Sequence, residues 1–203
     1  MRCRHRIKKL AEDLPANASG IKSQLIVRVH PADDGGRLRS YEFDNSVKIQ
    51  IPGKAGGGNI FGYHPSKEDN REFVNSIRHA DVVINLASTI TLDASFCNRP
   101  VISIAFDPSP DRRYQTAIDH YHTKYEHYQT ALRCGAVRLA HSHQELLSHI
   151  RTYLDQPELE QEGRRSLVEL WCGPGDGNAA SRLALALLKA LPSTGAALGT
   201  DAI

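Results

Sequence analysis

The chain has 203 residues, 40% of them hydrophobic, which is enough for one domain with a hydrophobic core. Its basic and acidic residues are dispersed and give a formal net charge of only +2, which argues against a nucleic-acid-binding protein. No segment approaches the roughly 20 apolar residues of a membrane span, and the N-terminus lacks the apolar stretch of a signal peptide. We therefore expect no nucleic-acid partner, no integral membrane segment and a cytoplasmic location, with peripheral attachment to the inner face of the membrane as an alternative.

The cysteines and histidines do not predict a metal site. The four cysteines are far apart in the sequence and include no CxxC pair, a spacing that favours reduced thiols over a disulfide framework or a zinc site. His120/His122 and His141/His143 are HxH pairs. In a helix, residues at positions i and i+2 point in different directions, so the first pair is poorly placed to bind the same metal ion. We predict no bound metal and no cofactor.

The pattern of apolar residues predicts helices that alternate with strands. In chain order, the predicted elements are a helix at 8–14, strands at 24–29 and 47–51, a helix at 67–79, a strand that ends before Ser88, a short helix, a strand that ends at Ile104, a helix at 112–135, a short strand at 136–140, a helix that follows Ser142, and a closing helix from Asn178 to about Leu191.

Several residues mark the ends of these helices. Ser66 is a preferred N-cap residue, and the helix that follows it is expected to bury Val74 and Ile77. Ser142 opens a capping-box pattern, and Gly135 is a typical C-terminal stop.

The alternation predicts an α/β protein, a Rossmann-like three-layer sandwich with four parallel strands. We expect one domain at residues 1–191 and a disordered tail at residues 192–203, whose residues are small and polar. A Rossmann-like half normally begins with a strand that lies centrally in its sheet, whereas this chain begins with a helix. We therefore predict that the domain lacks its first strand.

The most informative motif is Ser88-Thr89, which follows the first strand of a strand–turn–helix–strand unit. Ligands of open α/β sheets bind at the carboxyl ends of the strands, where a helix N-terminus offers free N–H groups and a partial positive charge. The motif therefore predicts a site for an anion such as a phosphate. Asp93, one turn into the helix, is expected to face the bound group or the opposing loop. Both hydroxyl residues are also good N-cap residues, and the two roles are compatible.

Two further motifs have a functional and a structural interpretation. His30-Pro31 directly follows a strand, and we expect this strand and the one before Ser88-Thr89 to be neighbours that end at the same sheet edge. The histidine there either contacts a phosphate or only caps the strand end. Arg28 lies two residues earlier and can make either a bidentate phosphate contact or a salt bridge within the sheet. Asp176-Gly177, before the closing helix, either helps to close a ligand cleft or forms an ordinary capped turn. No GxGxxG after a strand, Walker A loop or GxSxG motif is present.

The order of these motifs resembles the C-terminal, donor-binding half of GT-B glycosyltransferases, especially those of surface-polysaccharide and capsule synthesis. The resemblance rests on residues 25–31, 80–89, 99–102 and 176–182, and it covers about residues 8–190. CDP-glycerol glycerophosphotransferases and UDP-GlcNAc 2-epimerases share this architecture and similar signatures.

The resemblance implies a nucleotide-sugar donor, linked to UDP, CDP, GDP or CMP. Carried over by position, it implies that His30, Ser88 and Thr89 contact the donor phosphates, that Asp93 orders the site, and that Asp176-Gly177 begins the terminal helix. It identifies no catalytic residue, because the acceptor site and usually the catalytic base lie on an N-terminal domain. We therefore expect an N-terminally truncated chain that needs the missing domain or a companion chain. The alternatives are half of an epimerase or glycerophosphotransferase, or an inactive remnant.

Overall fold

The computed structural model describes residues 2–16, 20, 22–30, 38, 43, 45–52, 65–109 and 111–191. Helices alternate with strands along much of these residues, as predicted, but the helix at 161–172 was not predicted. They are α1 (Arg2–Asp13), β1 (Leu25–Arg28), β2 (Val47–Gln50), α2 (Lys67–Arg78), β3 (Val83–Asn85), α3 (Ile90–Phe96), β4 (Val101–Ile104), α4 (Gln115–Thr123), α5 (Glu126–Arg133), β5 (Arg138–Ala140), α6 (His143–Asp155), α7 (Gln161–Cys172) and α8 (Ala179–Ala190). The predicted tail at 192–203 lies outside the described residues.

The strands form two parallel sheets, which confirms the predicted α/β class with its Rossmann-like parallel pairing. β1 pairs with β2, with Leu25 opposite Val47. β4 lies between β3 and β5, with Val83 opposite Val101 and Ile102 opposite Arg138. Five strands are therefore present in the described part of the chain. The predicted number of four parallel strands was too low, since the short strand at 136–140 also pairs in parallel.

Helices cover both faces of the three-stranded sheet. Val101 belongs to a hydrophobic cluster with residues of α2, α3, α5 and α7. Ile102 belongs to a second cluster with residues of α6, and Leu10 and Leu14 from the N-terminal segment pack against it. Because successive residues of a strand point to opposite faces, the two clusters lie on opposite sides of β4. This arrangement gives the predicted three layers.

The predicted N-caps of α2 and α6 are confirmed. Ser66 accepts a hydrogen bond from the Asp69 amide (3.1 Å), and the Asp69 carboxylate accepts one from the Ser66 amide (2.9 Å). The Ser142 hydroxyl accepts from the Glu145 amide (3.1 Å). The Glu145 carboxylate reaches the His141 amide (2.8 Å), so the reciprocal half of this capping box is displaced by one residue.

The helix predicted at 112–135 is two helices, α4 and α5. Tyr125 has an extended backbone conformation (φ −87°, ψ 107°), which ends the helical hydrogen-bonding pattern. The ring of Tyr121 stacks on that of Tyr125 at 5.1 Å. The Gln129 side chain donates a hydrogen bond to the His122 carbonyl, near the end of α4. These side-chain contacts stabilise a break that the apolar spacing alone does not indicate.

α7 approaches the end of α5 very closely. A Cβ atom added to Gly163 of α7 would lie 2.4 Å from the Gly135 carbonyl oxygen, so only glycine fits this contact without a shift of the backbone. Gly135 has a φ of 67°, in the left-handed region that glycine adopts easily, and it ends α5 as predicted.

The next residue of α7, Arg164, is fully buried. Its guanidinium group donates hydrogen bonds to the Leu159 carbonyl (2.6 Å), the Pro157 carbonyl (3.2 Å) and the Asn98 side-chain oxygen (3.0 Å). Arg164 thereby joins the segment before α7 to the turn after α3.

The C-terminal end of the described chain exposes apolar side chains. α8 has no buried residue, and Leu183, Leu185, Leu187 and Leu188 are between 58% and 64% exposed. Trp171, the one tryptophan of the sequence, lies near the end of α7 and is half exposed. In the described part of the chain, every helix is too short or too polar to span a lipid bilayer.

Candidate functional site

The turn between β3 and α3 carries Ser88 and Thr89, and neighbouring side chains fix its conformation. Asn85, the last residue of β3, accepts a hydrogen bond from the Ser88 amide (3.2 Å) and donates one to the Thr91 hydroxyl (3.1 Å). Ala87 adopts a left-handed backbone conformation (φ 47°), which is uncommon for a residue with a Cβ atom. The Asn85 side chain therefore links the end of β3 to the turn and to the first turn of α3.

A buried serine–histidine pair contacts the inner side of this turn. The Ser103 hydroxyl oxygen, on β4, accepts a hydrogen bond from the Ala87 amide (3.1 Å) and lies 3.0 Å from Nε2 of His122, on α4. Nδ1 of His122 lies 2.9 Å from the Ile118 carbonyl oxygen. Because a carbonyl only accepts, Nδ1 carries a hydrogen atom, and Nε2 of the neutral ring accepts from the Ser103 hydroxyl.

The environment of this pair favours the neutral imidazole. Ser103 is fully buried and His122 is 5% exposed. Burial is the main cause that lowers the pKa of His122, because the charged ring would lose its hydration.

Some of the N–H groups of the turn are already hydrogen-bonded within the chain. Those of Ala87 and Ser88 donate to side-chain oxygens, and the Ile90 amide donates to the Ser88 hydroxyl at 3.4 Å. The expectation of free N–H groups at this helix start is therefore met only in part. Thr89 is exposed, and no described residue forms a hydrogen bond with its hydroxyl. Thr89 is thus available to a ligand.

Asp93 lies on α3 and is the acidic residue of its first turn. A negative charge is favourable there, because the helix dipole places partial positive charge at the N-terminus. Partial burial of the carboxyl group acts in the opposite direction and raises the pKa of Asp93. The predicted ordering role of Asp93 remains a prediction.

Arg28, at the end of β1, contacts its neighbours in the first sheet. Its guanidinium group lies 5.0 Å from the centre of the Phe73 ring and donates a hydrogen bond to the Gln50 side chain (3.3 Å), which in turn donates to Glu72 (3.2 Å). These contacts favour the structural interpretation of Arg28, although with an amide partner where we expected a carboxylate. His30 is exposed. Its neighbour in the motif, residue 31, lies outside the described residues.

Within the described residues, β1 and β3 belong to different sheets. β3 has three residues and pairs only with β4 in this part of the chain, so no strand pair joins it to β1. The expectation that His30 and the Ser88-Thr89 pair end neighbouring strands of one sheet is therefore not met. α2 connects the two parts instead, because its Phe73 contacts Arg28 and packs against the cluster that contains Val83.

A groove of about 560 Å³ lies between the first sheet and α2. Its lining side chains are mainly polar and come from alternate residues of β1 and β2 and from one face of α2: Ile26, Lys48, Gln50, Glu68, Arg71, Glu72, Asn75, Ser76 and His79. Acidic and basic groups are mixed, and Arg71 is paired with Glu68. The groove therefore lacks the single sign of charge that selects an anion.

Asp176 forms an ion pair in the turn that precedes α8. Its carboxylate accepts hydrogen bonds from Arg182 (2.8 and 2.9 Å) and from the Asn178 amide (2.9 Å). The Arg182 hydrogen bonds, followed by the Asn178 amide, lower the pKa of Asp176 to about 2. Gly177 has a φ of 74°, which favours glycine. These contacts account for the motif as a turn, and closure of a ligand cleft remains a prediction.

Sequence reasoning did not assign Asn85, Ser103, Asp107 or His122 to the site. Asp107 is buried and accepts hydrogen bonds from two backbone amides of residues 109–114 (2.8 and 2.7 Å), which fixes the start of the helix that carries His122. One signal was available: Ser103 is the polar residue inside an apolar strand. A buried polar side chain requires a partner, and that partner was not evident from the sequence.

In the part of the chain that the structure describes, no group of three or more His, Cys, Asp or Glu residues is arranged to hold a metal ion. Comparison with known proteins matches no protein-family model and no curated protein sequence.

Proposed function

We propose that this chain is the nucleotide-sugar-binding domain of a glycosyltransferase of surface-polysaccharide or glycan synthesis. The observation that carries the proposal is the Ser88-Thr89 turn, a fixed turn with an exposed hydroxyl at the carboxyl end of a parallel strand. This is the edge at which α/β sheets bind nucleotides. The motif order that resembles GT-B donor domains, which includes this turn, also supports the proposal.

The turn suits a binding role because it is ordered before any ligand arrives. Asn85 and Ser103 hold its backbone, so a ligand does not have to overcome the entropy of ordering it. The Thr89 hydroxyl can donate to a phosphate oxygen. With few free N–H groups at the turn, we expect phosphate affinity to depend on this hydroxyl more than in a glycine-rich phosphate loop.

The chemistry proposed for the assembled enzyme divides between two parts. Glycosyl transfer breaks the bond between the anomeric carbon and the nucleotide phosphate, forms a bond to the acceptor oxygen, and moves the acceptor proton to a base. Residues 86–89 include no ionisable side chain, so the turn stabilises the leaving phosphate and does not act as the base. The base and the acceptor site belong to an N-terminal domain or companion chain.

Titration calorimetry with UDP-, CDP-, GDP- and CMP-linked ligands tests the proposal. We expect one nucleotide class to bind, and Thr89→Val to weaken that binding by about ten-fold, the loss of roughly one hydrogen bond to a charged group. Thr116→Val is the matched control, because Thr116 is an exposed threonine on α4. A folded sample that binds none of the four classes contradicts the proposed function.

A further inference from the structure

We propose that His122 and Ser103 are positioning residues for the Ser88-Thr89 turn, and that the turn keeps its ligand-binding geometry only while His122 is neutral. The part of this inference that concerns ligands rests on the proposed function. The coupling between His122 and the turn does not depend on it.

The hydrogen bonds of His122 and Ser103 have a defined direction. The Ile118 carbonyl accepts from Nδ1 of His122, and Nε2 accepts from the Ser103 hydroxyl. The Ser103 oxygen then accepts from the Ala87 amide. A continuous chain of three hydrogen bonds therefore joins α4 to the turn that carries the candidate ligand-binding residues.

A proton on His122 changes this series of hydrogen bonds. Nε2 becomes a donor, so the Ser103 hydroxyl must turn its hydrogen away from the ring. The Ser103 oxygen then has two donors, His122 and Ala87, in a site from which water is excluded. The Tyr128 hydroxyl is buried close to Ser103 and can accept the displaced hydrogen. Protonation thus reverses the hydrogen bond between His122 and Ser103 and gives the Ser103 oxygen a second, charged donor.

The backbone of Ala87 is strained. A left-handed conformation at an alanine is costly, and it persists only where surrounding contacts impose it. The Ser103 oxygen is the contact made by the Ala87 amide. The Ser103 oxygen can accept from two donors, but its hydrogen bond from the charged imidazole is the stronger one. The bond from the Ala87 amide is therefore expected to weaken, and the adjacent Ser88 and Thr89 are expected to shift.

Other groups act on the charge of His122 from each element around it. On its own helix, Asp119 favours the protonated ring, and so does the hydrogen bond to Ile118. His141, which follows β5, opposes it. The Tyr128 ring, on α5, contacts the imidazole edge-on at 5.4 Å. Burial opposes the charge more strongly than any of these, so the neutral state is the resting state of the pair.

Nuclear magnetic resonance on the full, isotope-labelled chain tests the coupling without a ligand. The His122 ring and the Ala87 amide are followed from about pH 8 to about pH 4.5, a range that spans histidine titration. We expect both signals to change with the same midpoint. In Ser103→Ala the ring should still titrate while the Ala87 amide no longer follows it. In His122→Gln, whose amide oxygen can accept from Ser103 but does not titrate, the Ala87 signal should stay constant.

His120→Gln is the matched control, because His120 is exposed on the same helix. An Ala87 amide that does not move while His122 titrates overturns the coupling, and so does an unchanged Ala87 titration in His122→Gln. If Ser103→Ala does not fold, the His122→Gln result decides the question alone.

Calorimetry with the same nucleotide-linked ligands tests the link to binding. We expect the affinity to fall by about ten-fold when His122 is protonated, and the affinity of His122→Gln not to follow this fall. Equal affinity at both ends of the pH range overturns the positioning role. If no ligand binds at any pH while Ala87 still follows His122, the proposed function is wrong and the coupling stands as a property of the turn.

Discussion

His122 links the charge state of one side chain to the stability of the whole domain. Its pKa in the folded chain lies below the ordinary value of 6.5, so the unfolded chain binds more protons as the pH falls through this region. The contribution of the neutral His122 ring to the free energy of unfolding is complete above about pH 6.5. It is lost progressively as the pH falls towards the pKa of His122 in the folded chain.

Urea unfolding at a series of pH values measures this dependence. We expect the free energy of unfolding of the natural chain to decrease below about pH 6.5 more steeply than that of His122→Gln. Acidic groups titrate in both proteins, so the difference between the two curves isolates the histidine. Parallel curves would show that the environment of His122 does not favour the neutral ring.

Arg164 is a second residue whose effect on stability follows from its burial. Truncation in Arg164→Ala leaves the carbonyl oxygens of Pro157 and Leu159 without a donor and opens a cavity in the core. We expect a loss of about 3 kcal/mol in the free energy of unfolding, measured in urea.

The neighbouring Arg165 provides the control. It is exposed and, among the described residues, its ion pair is with Glu162, at 3.1 Å, so Arg165→Ala should change the free energy of unfolding by less than about 0.5 kcal/mol. Similar losses for the two variants would mean that burial of the Arg164 guanidinium group contributes little.

At the scale of elements, replacing Gly163 of α7 by alanine should destabilise the protein, although the same replacement stabilises an ordinary helix. In an ordinary helix, Gly→Ala stabilises by about 1 kcal/mol. In Gly163→Ala the new methyl group meets the Gly135 carbonyl oxygen, a backbone atom that cannot move aside. We therefore expect a loss of about 2 kcal/mol, the usual cost of overpacking.

Thermal unfolding of Gly163→Ala and of Ser166→Ala checks this expectation. Ser166 is exposed on the same helix, and its replacement should leave the melting temperature unchanged or slightly higher. A higher melting temperature for Gly163→Ala would show that α7 can move away from the end of α5.

Element types were predictable from the sequence, whereas details that depend on neighbours were not. The apolar spacing at 112–135 continues across Tyr125, and the side-chain contacts that stabilise the break there leave no mark in that pattern. Val74 was expected to be buried beside Ile77 but is 50% exposed, because no element in the described part of the chain covers that side of α2 enough to bury it. Caps such as Ser66 were predictable because their hydrogen bonds are local.

At the scale of the whole molecule, the division into two sheets predicts unequal protection from hydrogen exchange. β4 is paired on both sides and its first three residues are fully buried. β1 and β2 pair only with each other among the described residues. We expect the amides of β4 to exchange with the free energy of global unfolding, and those of β1 and β2 at least about ten-fold faster. Equal rates would indicate a single cooperative unit.

The candidate site was predictable only in its location. Ser88 and Thr89 follow a strand, and that position can be derived from the chain order. One contact that holds the turn joins Ala87 to Ser103, 16 residues later in the sequence, and it forms only because β3 and β4 are parallel neighbours. Contacts of this kind depend on the register of the sheet, which the hydrophobic pattern does not determine.

The half-exposed position of Trp171 has a spectroscopic consequence. Since the chain has no other tryptophan, its tryptophan emission comes from one place, near the end of α7 and the turn that leads to α8. An unfolding transition monitored by tryptophan emission therefore reports when this region separates from the rest of the domain. Circular dichroism follows all the helices together, so coincidence of the two transitions would show that the C-terminal region and the sheet unfold in one step.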